Sequence, residues 1–316
     1  MLSELRRSDP NRPQAETRAL LLSLLGQRPA DRGRVEAELI ATEDRGSFVL
    51  ESLVLHLNGM EPVPAYVTLP SKAEKKPYPV VLFDHSHGGR YTWGKRELLE
   101  SAPYMQQVSY AEALAELGVA ALSIDHWNFG ERHNRTELEI FKEMLWNGMV
   151  YWGMMVHDSF RAIDYICQRP DLDSNRMATL GMSMGSNMAQ WVAALDERIK
   201  ACVDICCLTD YEELIRTECL NAHGIYYYVP GLLKHFTAGE VNALTAPRPH
   251  LGLAGNLDEL TPPAGLDRID EHLRVVYAAC GVPEAWRLLR YDGVEHDETP
   301  EMRAAILEFL QQHLLA

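Results

Sequence analysis

Residues 180–187, "LGMSMGSN", connect a predicted strand to a predicted helix, and this connection decides the fold. The preceding residues, "RMATLG", form a short apolar run, and the following residues, "MSMGSNMAQWVAAL", have the length and apolar spacing of a helix. Gly181 and Gly185 leave room for a sharp strand-to-helix turn, because glycine has no Cβ atom. Ser183 lies at the tip of the turn, so the pattern predicts an exposed serine hydroxyl at one edge of a sheet.

The segments on both sides of this turn alternate between short apolar strands and amphipathic helices, which is typical of a parallel sheet covered on both faces. Upstream of the alternation, two strand-like segments join at Asn58 and Gly59, which favour a tight turn between antiparallel strands. The predicted fold class is therefore α/β, with a mostly parallel central sheet, an antiparallel N-terminal start and helices on both faces. The predicted strands are "SFVLESLVLHL", "PVPAYVTLP", "VVLFD", "VAALSID", "RMATLG", "IKACVDI", "RPHLGLAG" and "AWRLLRY".

The domain organisation follows from the same pattern. Residues 1–45 are predicted to form an N-terminal helical appendage, with its helix in "AETRALLLSLLG", and residues 46–316 form one α/β domain. Two aromatic-rich insertions interrupt this domain, at about 126–152 and 207–240, and a helix is predicted to start at His157 after the first. Both insertions follow strands at the edge where such sheets bind ligands. They are candidate lids or pocket walls, although the same aromatic residues also suit a cap that only packs on the body.

The composition excludes several classes of partner. The chain has 30 basic and 45 acidic residues, a net charge of −15, and such a surface repels nucleic acid and anionic lipid headgroups. The first residues lack the apolar segment of a secretory signal, and no apolar run is long enough to span a membrane. We therefore expect a soluble, cytoplasmic protein that binds neither nucleic acid nor membranes. The six cysteines lack the paired spacing of a zinc site.

A serine hydroxyl becomes a useful nucleophile only when a base removes its proton, and histidine suits this role near neutral pH. In a sheet of this kind, the acid and then the histidine follow the serine along the chain. Asp258, in "LAGNLDELTPP", and His296, in "LRYDGVEHDET", each follow a predicted strand in that order. Asp204, at the end of "ACVDI", is an alternative acid, although the chain continues from it into the apolar "ICCL". We expect Ser183, Asp258 and His296 to meet at one edge of the sheet.

A second feature is the stretch at residues 80–89, "VVLFDHSHGG", where a strand ends in two histidines. His85 and His87 have the His-x-His spacing of a metal-dependent amidohydrolase. That fold, however, needs eight βα repeats with the pair after the first strand, whereas an antiparallel start precedes the pair here. The other interpretation is an anion-binding loop in which the histidines are incidental. Further ligands on the metal hypothesis are His126, His157, His250 and Asp258.

Together these residues resemble the α/β-hydrolase superfamily from about residue 63 to the C-terminus. The matching features occur in order and are "PVVLFDHSHGG", "DHWNFGER", "GMSMG", "ALTAPRPHLGLAGNLDEL" and "DGVEHD". Within the superfamily, the chain resembles the dienelactone hydrolase and acetyl xylan esterase-like branch. The resemblance implies an α/β-hydrolase fold with cap-like insertions and a triad of Ser183, His296 and Asp258. Because this turn holds a serine rather than the cysteine of dienelactone hydrolases proper, it favours plain ester hydrolysis.

The resemblance also assigns a role to the loop after "VVLFD". In these enzymes the loop typically has the pattern His-Gly-x-Gly, and one of its backbone N–H groups forms half of an oxyanion hole. In this chain His85 matches the histidine, Ser86 replaces the usual glycine, and the N–H of His87 would face the substrate. The N–H of Met184, directly after the nucleophile, would be the second donor. Because Ser86 departs from the pattern, the question of which N–H faces the oxyanion is open at this point.

These features predict a serine hydrolase that cleaves carboxylic esters of short-chain acyl or acetyl groups, through an acyl-enzyme intermediate and without a cofactor. The expected partner is a small-molecule ester, and the candidate pocket residues are His126, Trp127, Arg90 and Tyr91. One alternative is a metal-dependent amidohydrolase that uses the His85-x-His87 pair, and another is a hydrolase-fold protein that binds without catalysis. The N-terminal helix is also a candidate contact in a homodimer.

Overall fold

The predicted apolar segments form strands in the computed structural model, which describes residues 12–30, 33–72 and 76–315. The strands are Glu36–Asp44 (β1), Phe48–His56 (β2), Val63–Pro70 (β3), Tyr78–Asp84 (β4), Ala120–Ile124 (β5), Leu172–Met182 (β6), Ala201–Ile205 (β7), His250–Gly255 (β8) and Trp286–Tyr291 (β9). The helices are Gln14–Leu24 (α1), Tyr110–Leu117 (α2), Glu137–Trp146 (α3), Tyr151–Gln168 (α4), Met184–Leu195 (α5), Tyr211–Arg216 (α6), Ala238–Ala243 (α7), Pro263–Ala279 (α8) and Pro300–Leu314 (α9). Within the described residues, none of the helices combines the length and apolar character needed to cross a bilayer.

Within the described part of the chain, the nine strands form one sheet in the order β1-β2-β3-β5-β4-β6-β7-β8-β9. The pairs β1–β2, β2–β3 and β3–β5 are antiparallel, and every pair from β5 to β9 is parallel. The predicted α/β fold class, a mostly parallel sheet with an antiparallel start, is therefore confirmed. Because the carboxyl ends of parallel strands meet at one edge, the loops after β4, β6, β8 and β9 all lie along that edge.

Helices cover both faces of the sheet, as the surroundings of β4 demonstrate. All seven residues of this strand are buried, as expected of a strand with a core on each side. Val80 and Leu82 belong to the core formed with α1, α4 and α5. Val81 and Phe83, which alternate with them, belong to the opposite core formed with α2 and α9. This burial on both sides holds the end of β4, and the loop that follows it, in a fixed position.

Helix α1 is the predicted N-terminal helix, and it packs directly on the body of the protein. Its residue Leu21 and the following Leu25 are fully buried in the core that contains α4 and α5. The Arg18 guanidinium donates hydrogen bonds to the carbonyls of Ala194 at 3.0 Å and Leu244 at 2.8 Å. These contacts make the helix a part of the main core.

Strand β1 corrects the prediction of a helical appendage over residues 1–45. The strand lies within that region and pairs with β2 at one edge of the sheet. All but one of its residues are exposed, so it lacks the alternation of apolar and polar residues that marks a half-buried strand. Apolar periodicity therefore gave no signal for it. Residues 1–11, which the prediction also assigned to the appendage, lie outside the described residues.

The two predicted insertions contain helices and turns that pack against each other. The first contains α3, and α4 begins within it at Tyr151, so the prediction that this helix starts at His157 is wrong. The second contains α6, α7 and a 3-10 turn at Ile225–Tyr227. The ring of Tyr226 in this turn lies 6.1 Å from that of Trp152 in α4, measured between ring centroids. The two insertions thus share one aromatic layer.

Gly153 lies where α4 passes closest to the end of α1. A Cβ atom added there would lie 2.0 Å from the carbonyl oxygen of Leu25, so Gly153→Ala forces the two backbones apart. We expect this variant to lower the free energy of unfolding by about 1–3 kcal/mol, the usual cost of overpacking. Urea titration followed by circular dichroism measures the change.

Ser159→Ala on the same helix is the matched control for Gly153→Ala. The Ser159 hydroxyl is buried and has no hydrogen-bond partner among the described residues. Its removal should leave the free energy of unfolding unchanged or slightly higher, because no hydrogen bond is lost. An equal loss of stability in both variants would contradict the assigned contact between Gly153 and Leu25.

Candidate active site

Ser183 occupies a strained turn between β6 and α5. Its φ is 58° and its ψ is −119°, a conformation that residues with a side chain rarely adopt and that costs of the order of 1–3 kcal/mol. A Cβ atom on Gly185 would lie 1.9 Å from the carbonyl oxygen of Asp84. A Cβ atom on Gly181 would lie 2.3 Å from the carbonyl carbon and oxygen of Gly185. The Ser183 N–H donates to the carbonyl of Ile205 at 2.9 Å. These contacts hold the half-buried Ser183 at the carboxyl edge of the sheet.

Asp258 and His296 meet at the same edge, in the loops after β8 and β9. The Asp258 carboxylate is buried, and its Oδ2 accepts a hydrogen bond from His296 Nδ1 at 2.8 Å. Its Oδ1 accepts from the N–H of Leu260 at 2.9 Å. With Nδ1 as the donor, Nε2 of the neutral imidazole is left as a proton acceptor. Among the described residues Nε2 has no hydrogen bond to the Ser183 hydroxyl, so only the His296–Asp258 half of the arrangement is already paired.

Asp204, the alternative acid, has a different partner. Its Oδ2 lies 2.6 Å from His250 Nε2, and both side chains are fully buried between β7 and β8. Burial by itself lowers the pKa of His250, but the neighbouring Cys202 and the Asp204 carboxylate outweigh this effect and raise the pKa to about 10. His250 is therefore protonated and forms an ion pair with Asp204 inside the core. Of the two candidate acids, Asp258 is the one that contacts His296.

The loop after β4 has one backbone N–H group already in use. The Ser86 N–H donates to Glu97 Oε1 at 2.8 Å, and the Ser86 hydroxyl contacts Glu97 Oε2 at 2.5 Å and the Tyr104 hydroxyl at 2.6 Å. The next N–H, that of His87, has no acceptor among the described residues. The same holds for Met184, the first residue of α5, whose N–H has no partner within the helix. The two N–H groups that the resemblance assigned to an oxyanion hole are thus both free of intramolecular hydrogen bonds within the described residues.

The imidazoles of His85 and His87 are held by the protein itself. His85 Nδ1 donates to a backbone carbonyl at 2.9 Å, and its Nε2 accepts from the N–H of His126 at 3.1 Å. His87 Nδ1 accepts from the N–H of Gly89 at 2.9 Å, and its Nε2 donates to the Tyr226 hydroxyl at 2.7 Å. Burial lowers the pKa of both histidines to about 4. With every ring nitrogen engaged, the metal hypothesis for this pair loses its support, and the described residues contain no group of three or more side chains arranged to hold a metal.

The prediction that His126 lines a substrate pocket is wrong, because its side chain is fully buried. Its ring lies 4.9 Å from that of His85, and its Nε2 lies 3.3 Å from Asp84 Oδ1. Burial lowers the pKa of His126 and raises that of Asp84, so it favours the uncharged form of each group. The histidine does follow a strand at the ligand-binding edge, but the elements above that strand end cover it.

The other three predicted pocket residues line cavities near the site. Trp127 lines a cavity of about 260 Å³ beside α3. Arg90 and Tyr91 line a cleft of about 450 Å³ that begins next to the loop after β4. The Tyr91 ring packs 5.0 Å from that of His87, measured between centroids. Neither cavity has Ser183 in its lining, so a pocket role for these residues stays a prediction.

Sequence patterns did not indicate three side chains that lie at the site: Glu97, Tyr104 and Tyr226. Glu97 and Tyr104 lie between β4 and α2, in a segment without a recognised motif, and Tyr226 was one of many aromatic residues in the second insertion. One feature of the sequence did point to a hydrogen-bond partner in this region. Ser86 stands where the resembling enzymes have glycine, and a buried hydroxyl at that position requires a hydrogen-bond partner.

Comparison with known proteins identifies the family. A family model for acetyl xylan esterases matches residues 44–240. The chain is also 49% identical over 301 residues to YtaP of Bacillus subtilis (strain 168), a protein whose name assigns it to the hydrolases, and the match covers 95% of this chain and 100% of YtaP. The chain belongs to the acetyl xylan esterase family. The region that matches the family model contains Ser183 and the loop after β4, but it ends before Asp258 and His296.

Solved esterase structures share the fold of this acetyl xylan esterase family member. A glucuronoyl esterase from Solibacter usitatus aligns with a TM-score of 0.70 at 17% identity, over 96% of this chain and 92% of that one. An acetyl xylan esterase from Paenibacillus sp. R4 aligns with a TM-score of 0.62 at 18% identity, over 99% and 98% of the two chains. The likeness confirms the predicted α/β-hydrolase fold. Family membership makes the protein a carboxylic ester hydrolase with a small-molecule ester substrate, as predicted, rather than a binding protein without catalysis.

The buried pair of His250 and Asp204 makes stability depend on pH. The pKa of His250 in the folded protein, about 10, lies above its ordinary value of 6.5. The pair therefore stabilises the fold fully below pH 6.5, and this contribution is lost as the pH rises through about 10. We expect the difference in free energy of unfolding between wild type and His250→Asn to shrink from pH 6 to pH 10, in urea titrations at each pH. A constant difference would contradict the assignment of the charged pair.

Proposed function

We propose that the protein hydrolyses short-chain acyl esters, acetyl esters in particular, with Ser183 as nucleophile, His296 as general base and Asp258 as the acid that orients the histidine. The observation that carries the proposal is the 2.8 Å hydrogen bond from His296 Nδ1 to the buried Asp258 carboxylate. This bond holds the tautomer in which Nε2 can take a proton from the serine. The proposed reaction requires a hydrogen bond from the Ser183 hydroxyl to Nε2, and such bonds commonly tighten only when substrate is bound.

The proposed reaction has two halves. The Ser183 oxygen attacks the ester carbonyl carbon while His296 takes the serine proton, and His296 then gives that proton to the departing alcohol. A water molecule next attacks the acyl-enzyme, with His296 again as the base, and the acid product leaves as the serine regains its proton. Asp258 remains charged and stabilises the imidazolium that forms in each half.

The free N–H groups of His87 and Met184 are the proposed donors to the negative oxygen of each tetrahedral intermediate. A donor of this kind contributes about 3 kcal/mol to the stability of the transition state in comparable sites. The Ser86 N–H is committed to Glu97, which favours His87 over Ser86 as the donor from this loop. The departure of Ser86 from the usual glycine is thus compatible with a working oxyanion hole.

Aromatic side chains from both insertions support a preference for small acyl groups. The Tyr226 hydroxyl bonds to the imidazole of His87, the residue whose N–H is a proposed oxyanion donor. Tyr226 is buried, with its ring 5.6 Å from that of Phe129 and 6.1 Å from that of Trp152. Rings packed in this way yield little space to a long acyl chain. We propose an acetylated carbohydrate as the substrate, in line with the names of the family and of the Paenibacillus sp. R4 esterase.

Ser183→Ala should remove almost all turnover of p-nitrophenyl acetate, by about 10⁴-fold or more, because no other group supplies the nucleophile. Ser186→Ala is the matched control: Ser186 is buried in the first turn of α5, three residues after Ser183, and its hydroxyl accepts from Gln190 at 3.2 Å. The control should stay within a few-fold of wild type, and both variants should keep the melting temperature. A phosphonofluoridate probe should form one adduct with the control and none with Ser183→Ala. Near-wild-type turnover by Ser183→Ala would end the proposal.

A series of p-nitrophenyl acetate, butyrate and octanoate tests the proposed acyl preference. We expect kcat/KM to fall at least about tenfold from acetate to octanoate, because the additional methylene groups of octanoate do not fit the proposed pocket. Tyr226→Ala should raise the ratio of butyrate to acetate activity, because it removes part of the proposed wall. Tyr228→Ala is the control, since that hydroxyl bonds to the carbonyl of Leu220 and not to His87. An unchanged ratio in Tyr226→Ala would count against this wall.

A further inference from the structure

Glu97 is a buried acid that the proposed reaction does not use. It lies in the 3-10 turn Gly94–Leu98, and only 1% of its surface is exposed. Burial raises the pKa of Glu97 to about 7, which reflects the cost of taking a carboxylate out of water. Within the described residues Glu97 has no ion pair with a basic side chain, so it depends on hydrogen-bond donors, and the identity of those donors indicates what it does.

The two shortest hydrogen bonds to Glu97 come from Ser86, in the loop after β4 (residues 85–89), which we call the oxyanion loop. Its Oε1 accepts the Ser86 N–H at 2.8 Å, and its Oε2 accepts the Ser86 hydroxyl at 2.5 Å. The Tyr104 hydroxyl contacts the Ser86 hydroxyl at 2.6 Å and reaches Glu97 Oε2 at 3.4 Å. The N–H and the hydroxyl of Ser86 are therefore both bonded to one buried carboxylate, while its carbonyl accepts from His85 Nδ1. The peptide that carries the His87 N–H begins at the same residue.

Tyr104 extends this hydrogen-bonded unit to the loop that carries His296. Its ring lies 6.3 Å from that of His296, measured between centroids. Its carbonyl accepts the N–H of Glu298, two residues beyond the histidine, at 2.8 Å. On the other side, a Cβ atom on Gly88 would lie 2.5 Å from the Tyr104 ring, so the oxyanion loop packs directly on the tyrosine.

We propose that Glu97 is a positioning residue: through Ser86 it fixes the backbone of the oxyanion loop and so directs the His87 N–H toward the reacting carbonyl. Tyr104 packs between this loop and the loop that carries His296, and so fixes the position of one loop relative to the other. The proposal rests on the proposed function, because it assumes that the His87 N–H stabilises the oxyanion. In this view the serine at the usual glycine position is a second anchor, since its hydroxyl adds a hydrogen bond that glycine lacks.

Glu97→Leu removes both acceptors and leaves an apolar side chain that is one bond shorter. If the His87 N–H no longer points at the reacting carbonyl, one oxyanion donor is lost. The kcat for p-nitrophenyl acetate should then fall by up to about 10²–10³-fold, the usual effect of such a loss. The KM should change little, because the donor acts mainly in the transition state. The inhibition constant of a boronic acid that forms a tetrahedral adduct with the serine should rise in parallel with the loss of kcat. Glu97→Gln keeps one acceptor for the Ser86 N–H and should restore most of the lost kcat.

Two further variants keep the proposal testable if Glu97→Leu fails to fold. Ser86→Ala and Tyr104→Phe each remove one hydroxyl of the unit and leave the Ser86 N–H bonded to Glu97. Each should lower kcat by a smaller factor than Glu97→Leu, again with little change in KM and with weaker boronic acid inhibition.

Asp158→Asn is the matched control for a general loss of stability. Asp158 is a fully buried acid on α4 that accepts hydrogen bonds from Asn58 and Arg132, so its substitution perturbs the fold without touching the oxyanion loop. Its kcat and boronic acid inhibition should match wild type at temperatures below its melting transition. If folded Glu97→Leu behaves like Asp158→Asn, or if it raises KM alone, the positioning role is overturned. Failure of the proposed function is a separate result, since Ser183→Ala would then remain active.

Discussion

The arrangement of the site depends on one backbone contact, between Gly185 at the start of α5 and the carbonyl of Asp84 at the end of β4. Any side chain at 185 would place its Cβ 1.9 Å from that carbonyl oxygen, so only glycine lets the helix approach the strand so closely. This approach forces the strained conformation of Ser183. It also sets Ser183 beside the loop that begins one residue after Asp84. Main-chain packing therefore holds the start of α5 against the end of β4 and the first residue of the loop that follows it.

The same constraint explains why much of the fold and of the candidate site was predictable. Close backbone contacts require glycine, so the glycines around Ser183 were visible as a pattern. Asp258 and His296 were recognisable because each follows an apolar strand, and parallel strands bring their carboxyl ends to one edge. The contact between these two side chains then follows from topology. The pairing of Asp204 with His250 inside the core did not follow, because these two residues lie 46 positions apart on neighbouring strands and no motif connects them.

Sequence patterns did not reveal which side chains and strands become buried or stay exposed once the chain is packed. His126 follows a strand as Asp258 does, yet packing covers it completely. Glutamate usually lies on the protein surface, and nothing in the sequence around Glu97 indicates otherwise. Packing against Ser86 and Tyr104 makes this glutamate a buried hydrogen-bond acceptor. Strand β1 is the reverse case, because a strand exposed on both faces has no apolar alternation to detect. In each case the missing information is the degree of burial or exposure that packing produces, which residue type and spacing do not encode.

The exposed edge of β1 affects how the molecule associates with other copies of itself. An unpaired edge strand can recruit a strand from another chain, and natural proteins prevent this with charge and with irregular backbone. The pairing of β1 with β2 shifts register between Leu39 and Ala41, which distorts the edge beside the exposed apolar Leu39 and Ile40. Carboxylates on the rest of the strand repel an identical edge. The excess of acid thus protects the sheet against growth into an aggregate, and the acidic residues on this strand are Glu36, Glu38, Glu43 and Asp44.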